Sequence, residues 1–400
     1  MKYKSNRLLI MVLFLLLQVS GFAQLDSDIT KEANDLITGK KYESAFKLLQ
    51  DTDPGNKKPD IVLLKEKIAI NYFVSSMMHQ MFAFKDLEKN QDLMDYRGKQ
   101  GTFGMYTFAI NDVLDTLIKQ FPDNYSLYKG LAEFYYDAQQ RYGDKWLKDD
   151  SIVSDLIVKN YQIVIDHNLV DDKAYYVLGL EKLTHNKKRE SIPYFLKAIE
   201  LKKDIADAHY NVAYAYLFEK DLKNALKYAL NSLELYKDVD NKGDAARMVA
   251  EIYADLKDEK NALKYYELAN TIAGSNYYNL RPLLHIYVRN GSPKASATLD
   301  AFYKLGPDKP AIYQDLMDIY SASKKIPVLI DFLKSKFATY RDQKEVMGSL
   351  NFYLGVLYLP TDKKTAKAYF LKSKEVFSEV LEKDNKVFNA IEEGIQEAEK

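Results

Sequence analysis

The chain contains no cysteine. That excludes disulfides, thiolate zinc sites and a lipid anchor attached through an N-terminal Cys. Histidine is scarce, at five residues. His79, His167, His185, His209 and His285 lie far apart in sequence and form no H-E-x-x-H pair, so no metal ligand set is legible. There is no G-x4-G-K-[ST] phosphate loop, no G-x-S-x-G nucleophile turn and no D-x-[DN]-x-[DN]-G calcium loop. No cofactor, metal or catalytic residue is expected, and the chain reads as a non-enzyme. Charge of one sign is missing too: 57 basic residues balance 57 acidic ones, and the two signs are interleaved. This excludes a nucleic-acid-binding face or a polybasic membrane patch.

Long hydrophobic runs are also absent. The longest, Leu8 to Leu17, has 10 residues, half of the roughly 20 needed to span a bilayer as a helix. It follows Lys2, Lys4 and Arg7 and precedes Gly21-Phe22-Ala23, the pattern of a secretory signal peptide over 1–23 cleaved near Ala23. The expected product is exported, periplasmic or secreted, with no retained membrane span. Residues 24–400 keep 54 basic residues against 57 acidic ones, a formal charge of −3.

Proline and glycine, 10 and 16 residues, occur mainly as punctuation between helical runs. Examples are Asp53-Pro54-Gly55, Phe121-Pro122-Asp123, Gly291-Ser292-Pro293, Gly306-Pro307 and Leu359-Pro360. No alternating strand of useful length is visible, and nearly all of the exported chain reads as antiparallel helix pairs. A first pair spans Asp26 to Gln50 and turns at Gly39. A long helix is expected over Pro59 to Leu87, then helices near Met105 to Phe121, Tyr125 to Arg141 and Trp146 to His167.

What is present in quantity is a repeat. Stretches beginning near Lys173, Asp207 and Asp244 align at offsets of 34 and 37 residues. In register stand Leu178, Val212 and Val249; Gly179, Ala213 and Ala250; Ser191, Ala225 and Ala262; and Ala198, Ser232 and Ala269. Small residues at fixed places let two helices approach, while Phe195, Tyr216, Tyr253 and Tyr266 fill the space beside them. Near the C-terminus Leu354, Gly355 and Tyr358 with Ala366 and Phe370 repeat the pattern, with a turn one residue shorter.

These residues resemble the tetratricopeptide repeat, sketched as W-x2-L-G-x2-Y, then A-x3-F. Departures are Lys182 in place of Tyr, Ala229 in place of an aromatic, and Tyr175, His209 and Ala246 in place of the leading Trp. The resemblance implies an all-α solenoid of stacked helix pairs forming a right-handed superhelix. The expected organisation is a helical region of degenerate or expanded repeats over 24–167, three clear repeats over 171–274, and degenerate repeats over 275–400 with a clearer unit at 348–377 and a closing helix. Asp171 and Asp172 are read as caps of the first clear repeat helix.

The resemblance also implies a concave wall built from the first helix of each pair, where a protein or peptide segment would bind. The candidate groove residues are Tyr176, Leu180, Leu183, Tyr210, Tyr214, Leu217, Phe218, Arg247, Glu251 and Asp255. A second candidate contact is the glycine-rich stretch with Arg97, Lys99, Phe103 and Tyr106, otherwise a plain connection between helices. The positions that grip a C-terminal carboxylate in some family members hold Tyr176, Leu180, Asn211, Asp244 and Met248, and only Asn211 fits. The favoured reading is a noncatalytic scaffold or adaptor of a bacterial envelope complex. The alternative is a carbohydrate- or cell-wall-binding protein, or an enzyme, using Trp146, Tyr135, Tyr136, Tyr142 and Asp144. A third reading is a homo-oligomer formed through the C-terminal repeats.

Overall fold

The structure, a computed structural model, describes residues 28–71, 74–76, 80–92, 103–142 and 148–400. The proposed signal segment therefore lies outside the described residues, as do Arg97, Lys99, Asp144 and Trp146. The fold is all-α, a solenoid of paired helices, with one small sheet. The chain divides into two compact units, 1–203 and 204–400.

Unit 1 opens with α1 (28–38) and α2 (Tyr42–Thr52), joined through the expected turn at Gly39. Helix α3 (Pro59–Asn71) stops well short of Leu87, because the chain then enters a three-stranded antiparallel sheet, β1 (Val74–Ser76), β2 (Met81–Phe84) and β3 (Gly104–Thr107). The expectation of helix through Leu87, and again from Met105, is thus wrong. Phe82 and Phe84 are two apart and fully buried, with Phe46 of α2 packing 4.6 Å from Phe84 and 5.0 Å from Tyr106 between ring centres. Aromatic residues at period two favour a pleated surface over a helix once a partner face is available. The buried Gln80 sets the next start: its Oε1 accepts the Ile110 N–H at 2.6 Å. Helices α4 (Ile110–Gln120), α5 (Tyr125–Tyr142), α6 (Asp150–Asp166), α7 (Asp172–Thr184) and α8 (Lys188–Leu201) complete the unit. Asp171 caps α7 as expected, accepting the Ala174 N–H at 2.7 Å.

The turn from α2 to α3 is held from inside. The Asp53 carboxylate accepts the N–H groups of Lys57 and Lys58, and the fully buried Lys65 donates to the Asp53 carbonyl, Asn56 and Gln50 at 2.7–2.9 Å. Burial lowers the Lys65 pKa to about 8, with Asp53 opposing the shift.

Unit 2 is a run of hairpins. Helices α9 (Ala206–Phe218) and α10 (Leu222–Leu235) form one, and α11 (Val239–Asp255) and α12 (Glu259–Ala273) the next. Then follow α13 (Tyr277–Asn290) with α14 (Ala295–Tyr303), α15 (Pro310–Ala322) with α16 (Ile326–Ser335), and α17 (Lys344–Tyr358) with α18 (Lys363–Phe377). The last helix, α19 (Val387–Glu399), lays Ile391 and Ile395 on Phe370 and Phe377. The paired helices expected over 276–340 are therefore present, as is the closing helix.

A small residue facing a large one locks two of the hairpins, α7–α8 and α17–α18. A Cβ added to Gly179 would lie 2.8 Å from the Phe195 ring, and one added to Gly355 would lie 2.8 Å from Phe370. Where the second helix carries Ala229 in place of the ring, the first carries Ala213, and both are fully buried. Nearer the turn, tyrosines stack across the pair: Tyr216 on Tyr228 at 6.0 Å, Tyr253 on Tyr265 at 5.5 Å and Tyr358 on Tyr369 at 5.7 Å. The turns close with a left-handed residue, φ 62° at Lys220 and 63° at Lys257. The next N–H reaches back to Tyr216 and Tyr253 carbonyls at 3.0 and 2.9 Å, and Asp221 and Asp258 then cap the second helix. This ties up carbonyls that the helix end would otherwise leave unpaired.

Two outcomes test this account. Gly179→Ala should destabilise unit 1 by about 1–3 kcal/mol through overpacking, despite the gain of up to ~1 kcal/mol in helix propensity. Phe195→Leu in the same chain should recover part of the loss, and urea unfolding of both variants reads it. A base with a folded pKa below its unfolded value binds fewer protons when folded, so Lys65 makes stability rise with pH between about 8 and 10.5. Unfolding of Lys65→Met, compared with the parent across that range, should show this rise missing.

Candidate functional site

The first helices of the unit 2 hairpins carry the candidate groove residues. On α9, Tyr214 and Phe218 are exposed, at 40% and 57% of their surface. Tyr210 and Leu217 are half-buried and packed with Tyr216 and Tyr236, so part of their surface serves the core. One turn apart on α11, Arg247 donates from Nη1 to Glu251 at 2.9 Å and from Nη2 to Asp244 at 3.0 Å. These i,i+4 and i,i+3 contacts hold the guanidinium flat along the helix. Asp255 stands at the end of α11, 3.9 Å from the ammonium of Lys220.

The charges of α11 act on nearby tyrosine hydroxyls. Burial raises the Tyr210 hydroxyl above its ordinary pKa, and the carboxylates of Asp244 and Glu251 push it further up while Arg247 opposes them. The Tyr266 hydroxyl is pushed up to about 12, mainly by burial and then by Glu251. Phenols held neutral this way donate hydrogen bonds across the whole physiological range.

The wall continues along α13 and α15 through residues not singled out from sequence. The Arg247 guanidinium lies 5.5 Å from the centre of the Tyr278 ring. Asp315 of α15 accepts from Arg281 Nε at 2.5 Å and from the Tyr277 hydroxyl at 2.7 Å. A signal for this existed: Arg281 stands 34 residues after Arg247, and Asp315 another 34 after that. The poor motif match beyond 274 hid the register.

Tyr176, Leu180 and Leu183 lie on α7 in unit 1 and are half-buried, Tyr176 with its ring 5.8 Å from Phe195. Of the other candidate contact, Phe103 and Tyr106 are described. Both are half-buried, with Phe103 under the Lys85 ammonium at 5.7 Å and Tyr106 committed to the aromatic cluster of Phe46 and Phe84. The segment joins β2 to β3 and is not an interhelical connection.

Of the tyrosines offered for a carbohydrate site, the side chains of Tyr135 and Tyr136 are described, and both are engaged elsewhere; that of Tyr142 lies outside the described residues. Tyr135 is fully buried, its hydroxyl accepting from Lys148 at 2.9 Å, and Tyr136 packs under the Lys173 ammonium at 5.5 Å. Among the described residues no group of His, Asp and Glu could hold a metal ion, and no helix is long and apolar enough to cross a membrane.

A run of helix hairpins with small residues facing rings defines a helical repeat protein, an architecture that presents surfaces to protein partners. The chain carries three tetratricopeptide repeats: that family's model matches residues 172–205, 206–239 and 248–276. No curated protein matches the chain. Similar solved structures include the C-terminal part of a TPR repeat-containing protein from Cytophaga hutchinsonii, 12% identical with a TM-score of 0.41 over 72% of this chain and 93% of that one. Another comes from the functional characterization of pilF from Pseudomonas aeruginosa, 16% identical with a TM-score of 0.40 over 52% and 88%. A third is YrrB, described as a TPR protein with an unusual peptide-binding site, 14% identical with a TM-score of 0.33 over 59% and 99%.

The link between α13 and α15 is measurable. A double-mutant cycle of Arg281→Ala and Asp315→Ala should give a coupling of about 0.5–1 kcal/mol in thermal unfolding, since Arg281 is half open to solvent. Additive losses would show that the pair does not join the two hairpins.

Proposed function

We propose that the chain is a noncatalytic interaction scaffold that binds a protein or peptide segment on the first-helix wall of its repeats. The observation that carries this reading is the pairing of Tyr214 and Phe218, large rings left open to solvent, with the fixed charges of Arg247, Glu251 and Asp255 on the neighbouring helix. Rings of this kind supply most of the energy of an interface, and fixed charges set register and orientation. Tyr210 and Leu217 form the floor beside them. Tyr176, Leu180 and Leu183 are candidate contacts on α7 of unit 1, and the stretch with Arg97, Lys99, Phe103 and Tyr106 is a weaker one.

The signal-peptide pattern over 1–23 supports an envelope or extracellular location for the scaffold, and with it an envelope protein as the partner. Second copies of the chain are a competing partner, through the repeats after 275.

Crosslinking of the tagged protein in its native cells, followed by mass spectrometry of the linked peptides, tests the reading. Links from one envelope protein into 176–255 are the expected result. Tyr214→Ala with Phe218→Ala should weaken that partner's binding at least about tenfold with the helical signal unchanged. Links that avoid the wall, or a double variant that binds equally well, would end the groove assignment. Light scattering that reports a dimer, with links confined to the repeats after 275, would favour the homo-oligomer.

A further inference from the structure

Unit 1 has a second feature, outside the three repeats and independent of the groove. A cleft of about 620 Å³ opens between α1, α3, α5 and α7. Its depth depends on Gly130 of α5, where an added Cβ would lie 2.6 Å from the Leu63 side chain of α3. The close approach brings Glu66 of α3 against the charged face of α5. Glu66 is 2% exposed, and its Oε1 has no hydrogen-bond partner.

The charged groups facing it are Lys129, Glu133 and Asp137 of α5 and Lys173 of α7, and all four line the same cleft, as do Asp60 and Lys67 of its own helix. The two nearby ammoniums are already engaged. Lys129 is paired with Asp171 and lies 3.9 Å from Glu133, and Lys173 lies 3.2 Å from Asp137. Among the described residues Glu66 is therefore a buried acid at a cleft wall that forms no ion pair. Leaving such a group unmet is costly, and a donor that entered the cleft would remove the cost. Beside it the wall is aliphatic, with Leu63, Leu64 and Ile70.

We propose that this cleft binds a primary alkylammonium group, its nitrogen donating to the carboxylates of Glu66 and Glu133 and its aliphatic chain lying on Leu63, Leu64 and Ile70. The chemistry suits a lysine side chain of a partner and a free diamine alike, and two probes separate them.

Calorimetric titration of the full chain at pH 7 with 1,5-diaminopentane, with Nα-acetyl-lysine methylamide and with 1-pentanol is the test. At least one amine should bind with a Kd below about 1 mM, and the alcohol should not bind measurably. Diaminopentane alone would mark a free-amine site, and the lysine derivative alone or both together a site that takes a partner's side chain. Burial, reinforced by Glu133, raises the Glu66 pKa well above the ordinary carboxylate range. A bound cation favours the ionised carboxylate and opposes that shift, so binding should strengthen as pH rises through the range in which Glu66 ionises, read from titrations at several pH values. Glu66→Gln keeps the shape and should flatten the pH dependence and lose at least about tenfold in affinity. Glu133→Gln, expected to weaken binding about threefold or more, serves if the first variant does not fold. No binding by either amine at 10 mM probe, equal binding by the Gln variants, or binding of 1-pentanol as tight as the amines would overturn the proposal.

Discussion

The contact on which the solenoid rests is the interlock between the two helices of a hairpin, a side chain with almost no volume facing one with a great deal. Gly179 under Phe195 and Gly355 under Phe370 are the clearest cases, and Ala213 facing Ala229 is the same space divided differently. Interiors packed to crystal density leave no slack at such points. The interlock sets the spacing of the pair, and the spacing sets where the first helix can present its outer residues. Tyr214 and Phe218 stand among those outer residues, exposed on α9.

How far the fold could be read from residues alone depended on whether a local pattern had a competitor. Between 171 and 274 it had none: small residues recur at fixed offsets, the caps fall on Asp171, Asp221 and Asp258, and helices follow. Between 59 and 108 helical spacing competed with period-two aromatics, Phe82 with Phe84 and Tyr106 with Phe108. The winner was decided by Phe46, far away in sequence, which supplies the face on which a sheet can lie. Such a tertiary partner is invisible to any window along the chain.

The same distinction governs the candidate sites. Tyrosine abundance suggests amphipathic ring surface on a groove, yet Tyr216, Tyr253 and Tyr358 are spent in stacked pairs near the turns. Arg281 and Asp315 share the register of Arg247, but the motif around them is too worn to mark the place. Glu66 carried no sequence signal at all. An isolated glutamate on a helix is ordinary, and only Gly130, sixty-four residues on, brings α5 close enough to bury it.

Helix α19 packs on the α17–α18 hairpin. Gly394 lets it settle on Phe370, where an added Cβ would come within 2.7 Å of the ring, and Lys367 and Lys374 pair with Glu399 and Glu392 along its outer edge. The aromatic that locks the last hairpin is thus the one that seats the terminal helix. Because one ring serves both contacts, loss of the Phe370 side chain would loosen the seat of α19 together with the α17–α18 hairpin.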